Sequence, residues 1–280
     1  MKLEEIIEKL NFDKEIEEAI LNKLENDFEE IRLIAEKAYE KEDKKYLLCK
    51  EDPFTRLVVI TYLLESTYEV YKKRNIPDEI IIDTFKDVSY RVNLYFRRTG
   101  KIEISKGEVY WFSHIIFGEI FKLGAMQFEV RKMFYLKSVQ EGKSELVFPD
   151  EIKNILTEDT YIINCHLQEG GDLSGEATDN AFALAREFFK KYFPDVDIKA
   201  FVGYTWLFYP EMVKHLPDTS RIKEHAKRFT VVATCPCDVL ALERLFPDGY
   251  TNAGKPFTSL QRMAIKNPEW FGFACGIAWF

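Results

Sequence analysis

Up to about residue 123 the hydrophobic positions recur at helical spacing; beyond it they alternate or gather in short apolar runs. Leu3, Ile6, Ile7 and Leu10 share one helical face. Ile16, Ile20 and Leu24 share another, with Asn11 and Asp13 interrupting and recapping between them. A third helix is predicted over 27–41, followed by a polar turn at 41–45. Pro53 opens a long helix to about Lys73, because proline's missing N–H costs nothing in a first turn. Pro77 and Asp78 open the next, through about Arg98, and Gly100 ends it. Residues 106–122, with Trp111, Ile115, Phe117 and Phe121, read as a further helix buried on more than one side.

From Gly124 the pattern changes. Residues 125–136 alternate and are rich in aromatics, which predicts a strand, with a turn at 141–143 and a return strand at 145–148. A β-prone run at 161–166 leads through a Gly-containing loop, 168–175, into a helix from about Glu176. Ala181, Leu184, Ala185, Phe188 and Tyr192 form that helix's core-facing stripe, and Pro194 stops it. A second strong strand covers 198–208. Short helices follow at Pro210, after Asp218 or Ser220, at 239–246 and after Ser259, with strands at 229–235 and 270–280. The expected fold is α+β (α/β-like): a helical domain over 1–123, then a mixed-sheet domain over 124–280.

Composition narrows the functions open to such a chain. A hydrophobic fraction of 46% supplies a full core, and a net charge of −8 argues against a nucleic-acid backbone as principal partner. No apolar run is long enough to span a membrane, and the acidic, amphipathic start MKLEEIIEKL is unlike a signal peptide. Cys49, Cys165, Cys235, Cys237 and Cys275 are odd in number and scattered, which fits reduced thiols in a cytoplasmic protein.

The candidate chemistry concentrates at 160–192. A strand–loop–helix junction offers free backbone N–H groups and the positive end of a helix dipole to an anion. Leu167, Gly170, Gly171 and Ser174 are therefore the candidate cofactor-binding residues, the glycines letting a phosphate approach the backbone. Glu169, Asp172 and Glu176 oppose this, since they repel a diphosphate; the same acids could instead receive a cationic substrate. His166, where strand meets loop, is the leading general-base candidate, with Glu169 the second. Alternation puts His166 on one face with Ile162 and Asn164, so Asn164 joins Tyr204 and Trp206 as candidate pocket residues. Cys165 faces the opposite way and cannot form a dyad with its neighbour. Cys235 and Cys237 with His225 lack the second ligand pair of a structural zinc site, so no metal is expected. Asp172-Leu173-Ser174-Gly175 is not a Gly-x-Ser-x-Gly elbow.

Several phrases, in order, carry a resemblance. They are residues 123–129 (Leu-Gly-Ala-Met-Gln-Phe-Glu), His166, then Ala181, Ala185, Phe188, Phe189 and Tyr192-Phe193-Pro194. Trp206-Leu207, Pro210, Ser220, Ile222 and Phe229 follow. With the helical first half, this order resembles acyltransferases built from an N-acyltransferase N-terminal domain and a GNAT-like C-terminal domain. The resemblance implies transfer of an acyl group from acetyl-CoA or another acyl-CoA to a small-molecule amine. It also implies a proton donor for the leaving thiolate near the position of Tyr209. Gln168-Glu169-Gly170-Gly171 stands where an Arg/Gln-x-x-Gly-x-Gly/Ala pyrophosphate signature is expected. Two further readings follow from that departure: a non-catalytic ligand- or partner-binding module, or transfer from the thioester of an acyl-carrier protein.

Overall fold

The computed structural model describes all of the chain except residues 40–47, 49, 138–144, 248 and 250–255. The turns predicted at 41–45 and 141–143, and Cys49, lie outside the described residues. The chain divides into two units, Met1–Leu123 and Gly124–Phe280.

The first unit contains α1 (Leu3–Leu10), α2 (Lys14–Asn26), α3 (Phe28–Tyr39), α4 (Pro53–Lys72), α5 (Asp78–Thr99), α6 (Lys106–Ile116) and β1 (Ile120–Leu123). Asp52 starts α4 by accepting from the N–H groups of Phe54 and Thr55 at 3.0 Å each, with Pro53 in the first turn. α4 is the core of this unit: Leu57, Val58, Val59, Ile60, Leu64 and Tyr71 are all buried, so it shows little amphipathic contrast. The helix predicted over 106–122 is shorter than expected. Gly118 takes a φ of 66°, and a Cβ there would lie 3.1 Å from Val70 Cγ1. The chain turns at that glycine and enters β1. The Tyr71 hydroxyl pins the new direction by donating to the carbonyls of Ile115 (3.2 Å) and Ile120 (2.9 Å).

The second unit runs β2 (Met126–Lys132), α7 (Asp150–Ile155), β3 (Tyr161–Leu167), α8 (Gly175–Tyr192), β4 (Ile198–Thr205), α9 (Pro210–His215), α10 (Arg221–Ala226), β5 (Thr230–Cys235), α11 (Val239–Leu245), α12 (Ser259–Lys266) and β6 (Phe273–Trp279). Within this unit the strand order is β2-β3-β4-β6-β5. β3 and β4 are parallel, and α8 connects them; the β2–β3, β4–β6 and β5–β6 pairs are antiparallel. α8 covers one face, setting Phe182 against Phe128 and Phe201 at ring-centroid separations of 6.1 and 4.7 Å. The opposite face is buried by Met133, Leu146, Phe148 and Leu156 over Ile162, Ala200, Val202 and Ile277.

Four predictions need correction here. The return at 145–148 is reduced to a bridge at Glu145 and one bond from Leu146 N–H to Lys137 O at 2.9 Å; Leu146 and Phe148 are buried as side chains of the core. Leu184, expected on the buried stripe of α8, is 39% exposed, and Thr178, Phe182 and Phe189 fill the stripe instead. The strand predicted over 198–208 stops at Thr205, whose hydroxyl accepts from Leu207 N and opens a 3-10 turn over Trp206–Phe208. Trp206 therefore belongs to that turn and not to the strand. Residues 268–270 form another such turn, so β6 begins only at Phe273.

Candidate active site

β3 brings the candidate residues together. It pairs with β2 along its whole length, from Lys132↔Tyr161 to Met126↔Leu167. That register sets Gln127 opposite His166 and Glu129 opposite Asn164, and directly opposed residues share a sheet face. The buried Glu129 carboxylate accepts from Asn164 Nδ2 at 3.0 Å, His166 Nε2 at 3.1 Å and, through its other oxygen, Arg131 Nη1 at 3.2 Å. A carboxylate out of water is tolerated when its lone pairs are satisfied by cationic or polar donors in this way. Asn164 Nδ2 and His166 Nε2 lie 3.1 Å apart because both converge on the same oxygen. When Nε2 carries the hydrogen that faces Glu129, the imidazole lone pair lies on Nδ1. His166's side chain is 23% exposed against 4% for Glu129, so the ring reaches toward solvent while its orienting carboxylate does not.

Beside this cluster the β3–β4 ladder ends. β3 and β4 are paired from Tyr161↔Ile198 to Asn164↔Val202. Beyond that point β3 continues to Leu167 still paired to β2, and β4 continues to Thr205 still paired to β6. The ends of the two parallel strands, 165–167 and 203–205, have no ladder partner across this seam. The backbone groups there that do not pair with β2 or β6 border the seam next to His166.

The loop after β3 is a turn: Gly171 N–H donates to Gln168 O at 3.0 Å, and Gly170 takes a φ of 72°. Glu169 sits at its exposed tip. A Cβ on Gly171 would lie 3.0 Å from Gln168 O and 3.4 Å from Ala125 O, so glycine is needed for that close packing. Ser174 caps α8: its Oγ accepts from Ala177 N–H at 3.3 Å and donates to Asp172 Oδ2 at 3.1 Å. Asp172 also accepts from Ser174 N–H at 2.9 Å; that bond holds its carboxyl below the usual range, with Arg221 3.4 Å away assisting. Arg228 forks onto Asp179 at 2.8 and 2.7 Å and donates to Gly175 O at 3.2 Å. The acids foreseen as repelling a phosphate thus include Asp172, which is paired with an arginine. The sequence gives no sign of this, because the arginines come from about 50 residues away, on or just after α10.

Three candidates are set in aromatic packing. Tyr204 donates from its hydroxyl to Phe134 O at 2.5 Å with the two rings 4.8 Å apart, and burial pushes its phenol well up. Trp206 is half-buried between two clusters, its ring 6.3 Å from that of Phe271. Tyr209 packs with Met212, Leu216 and Phe271; burial raises its phenol pKa and keeps the hydroxyl protonated. Gly272 admits its ring, since a Cβ there would lie 2.4 Å from Tyr209 Cε2. Burial pushes the Cys165 thiol well above its ordinary range, the reverse of what a thiolate nucleophile requires.

Gln127, Glu129 and Arg131 were not foreseen as site residues. Their alternation marks one strand face, but nothing local says which strand lies opposite.

Helices followed by a mixed sheet whose parallel centre parts beside a histidine–carboxylate pair define a GNAT-like α+β protein. The family models agree: residues 1–118 match the N-acyltransferase N-terminal domain, and residues 120–269 match the GNAT-like C-terminal domain. The chain belongs to this family of two-part acyltransferases. Its fold is similar to that of a solved acyltransferase in complex with decanoyl-CoA and teicoplanin. That match has a TM-score of 0.75 at 18% identity and covers 99% of this chain and 87% of the other. An acyltransferase in complex with decanoyl-CoA gives 0.75 at 17% identity over 98% and 86%. An acyltransferase mutant with octanoyl-CoA gives 0.75 at 17% over 99% and 87%. No curated protein sequence matches the chain. No helix among the described residues is long and apolar enough to cross a membrane.

Proposed function

We propose that this chain transfers an acyl group from an acyl-CoA thioester to the amine of a small-molecule acceptor. The observation that carries the reading is the end of the β3–β4 pairing beside His166. A pantetheine arm carries amide groups, and the unpaired edges at 165–167 and 203–205 offer it backbone donors and acceptors. The solved acyltransferases of similar fold hold decanoyl- and octanoyl-CoA, which makes medium-chain donors the first to test.

In this reading the amine attacks the thioester carbonyl while His166 Nδ1 takes the amine's proton. Glu129, on Nε2–H, fixes the tautomer and stabilises the imidazolium that forms. Tyr209, kept protonated by burial, supplies a proton to the departing thiolate. Leu167, Gly170 and Gly171 receive the donor's pyrophosphate end at the start of α8, with Ser174 acting through its cap. Asn164, Tyr204 and Trp206 line the pocket. Isothermal titration with CoA, acetyl-CoA, octanoyl-CoA and decanoyl-CoA tests the donor: binding of at least one is expected, and binding of none removes the reading.

A second reading draws on the crowding at α8, where Ser174's hydroxyl is already bonded and acids and arginines neutralise one another. A donor presented on an acyl-carrier protein needs no nucleotide site. Acylation from a loaded carrier protein, with no binding of free acyl-CoA, would select it.

A further inference from the structure

We propose that Gln127 is a catalytic residue of this acyl transfer: its Nε2–H donates to the thioester carbonyl oxygen, and its Oε1 accepts from the incoming amine. The inference rests on the acyl-CoA reading above and goes beyond it. Gln127 is 0% exposed, and neither Nε2 nor Oε1 has a hydrogen-bond partner among the described residues. On the same patch Glu129 accepts from Asn164, His166 and Arg131, whereas Arg131 Nε, like both ends of the Gln127 amide, has no partner among the described residues. Burying an unpartnered amide is destabilising, and an apolar side chain of the same shape would avoid that cost. The position is directly across the β2–β3 ladder from His166, so the two side chains leave the sheet on one face at adjacent Cβ atoms.

The chemistry needs such an amide at this place. The amine's lone pair bonds to the carbonyl carbon, and the C=O π pair moves onto oxygen. The nitrogen's proton passes to His166 Nδ1. The oxygen pair then reforms C=O while the C–S bond breaks and its electrons leave on sulfur, which is protonated by Tyr209. In the tetrahedral adduct the oxyanion and the amine N–H hang from one carbon and its attached nitrogen. They have the same relation as the carbonyl oxygen and N–H of a carboxamide. A carboxamide can therefore pair with both, donating to the oxyanion and accepting from the N–H. Both ends of Gln127 would then be satisfied in the adduct, which is the state an enzyme must favour.

The test uses the full chain and decanoyl-CoA labelled with ¹³C at the thioester carbonyl, read by isotope-edited infrared spectroscopy. Binding to the wild type is expected to lower the C=O stretching frequency relative to free decanoyl-CoA. The shift should vanish in Gln127→Met, with decanoyl-CoA affinity retained. Gln127→Met should also melt no lower than the wild type, because it removes unpaired polar groups without opening a cavity. Bound decanoyl-CoA with no shift, or a shift that survives in Gln127→Met, overturns the inference and leaves the acyl-CoA reading standing. A lower melting temperature marks the amide as structural and overturns it too. Where another acyl-CoA binds in place of decanoyl-CoA, that thioester carries the label; if the wild type binds none of them, the acyl-CoA reading fails and this inference fails with it.

Discussion

His166 and His225 lie in the same unit and are built for opposite ends. His166 stands at the end of β3, partly open to solvent, with Glu129 on Nε2 at 3.1 Å. His225 is on α10, 1% exposed, its ring 5.6 Å from and stacked on Phe208, and likewise 5.6 Å from Phe229. Its Nδ1 meets Thr178 Oγ1 at 3.2 Å, and its Nε2 has no partner among the described residues. Burial, assisted by the Arg228 charge, pushes its pKa down to about 4. A carboxylate beside an imidazole compensates the charge that a proton would bring. An imidazole walled by phenylalanine must stay neutral. The difference teaches which histidine can do proton transfer, and it comes from neighbours on other elements.

The sharpest break is His166→Ala. Acyl transfer should fall by about 10²–10⁴-fold, the usual weight of a general base, while acyl-CoA binding persists. Equal turnover in the variant, measured as release of CoA thiol, would assign the proton elsewhere. Next in size is the acid limb of stability. Between pH 6.5 and 4 the unfolded chain binds a proton at His225 that the folded chain refuses, so stability is full above the unfolded pKa and falls as pH drops. The loss by pH 4 is about 3 kcal/mol from the roughly 2.5-unit difference. Urea melts at pH 7 and pH 4 should show His225→Gln losing that much less between the two values; an unchanged drop refutes the assignment.

Glu129→Gln tests the other side of the comparison. It keeps the shape but leaves His166 without its compensating charge, so turnover should fall by about 10²-fold, with donor affinity little changed. A wild-type rate would show that the carboxylate is only a structural partner. The smallest effect concerns the wall of the His225 pocket. A Cβ at Gly203 would lie 2.7 Å from Phe208 Cε2 and 3.6 Å from Phe229 Cε1. Gly203→Ala should therefore cost about 1–2 kcal/mol by overpacking, seen as a lower melting temperature. Because Gly203 also lies on the unpaired edge of β4, weakened acyl-CoA binding in the same variant would support the cleft reading.

Much of the secondary structure is legible locally. The helix starts at Pro53 and near Glu176 are legible in the sequence, and caps at Asp52 and Ser174 secure them. Where local signals compete, the reading slips. Phe117 and Phe121 continue an aromatic-aliphatic pattern, yet Gly118 turns the chain between them. Trp206, Leu207 and Phe208 look like more strand, yet Thr205 caps a 3-10 turn. Leu184 keeps helical spacing but falls just outside the face that meets the sheet. The candidate site was half legible. His166 and Asn164 are two residues apart, so alternation alone puts them on one face.

By itself, then, the sequence determined the helical first half, the order of strands and helices from β3 onward, and a histidine where β3 gives way to its loop. Only the tertiary structure decided that Gln127 and Glu129 stand beside that histidine, 39 and 37 positions away along the chain. It alone also decided that β3 and β4 part after Asn164↔Val202. The physical reason is the period of a strand. Alternation fixes which face a side chain takes but carries no information about which strand pairs with it, in what register, or where that pairing ends.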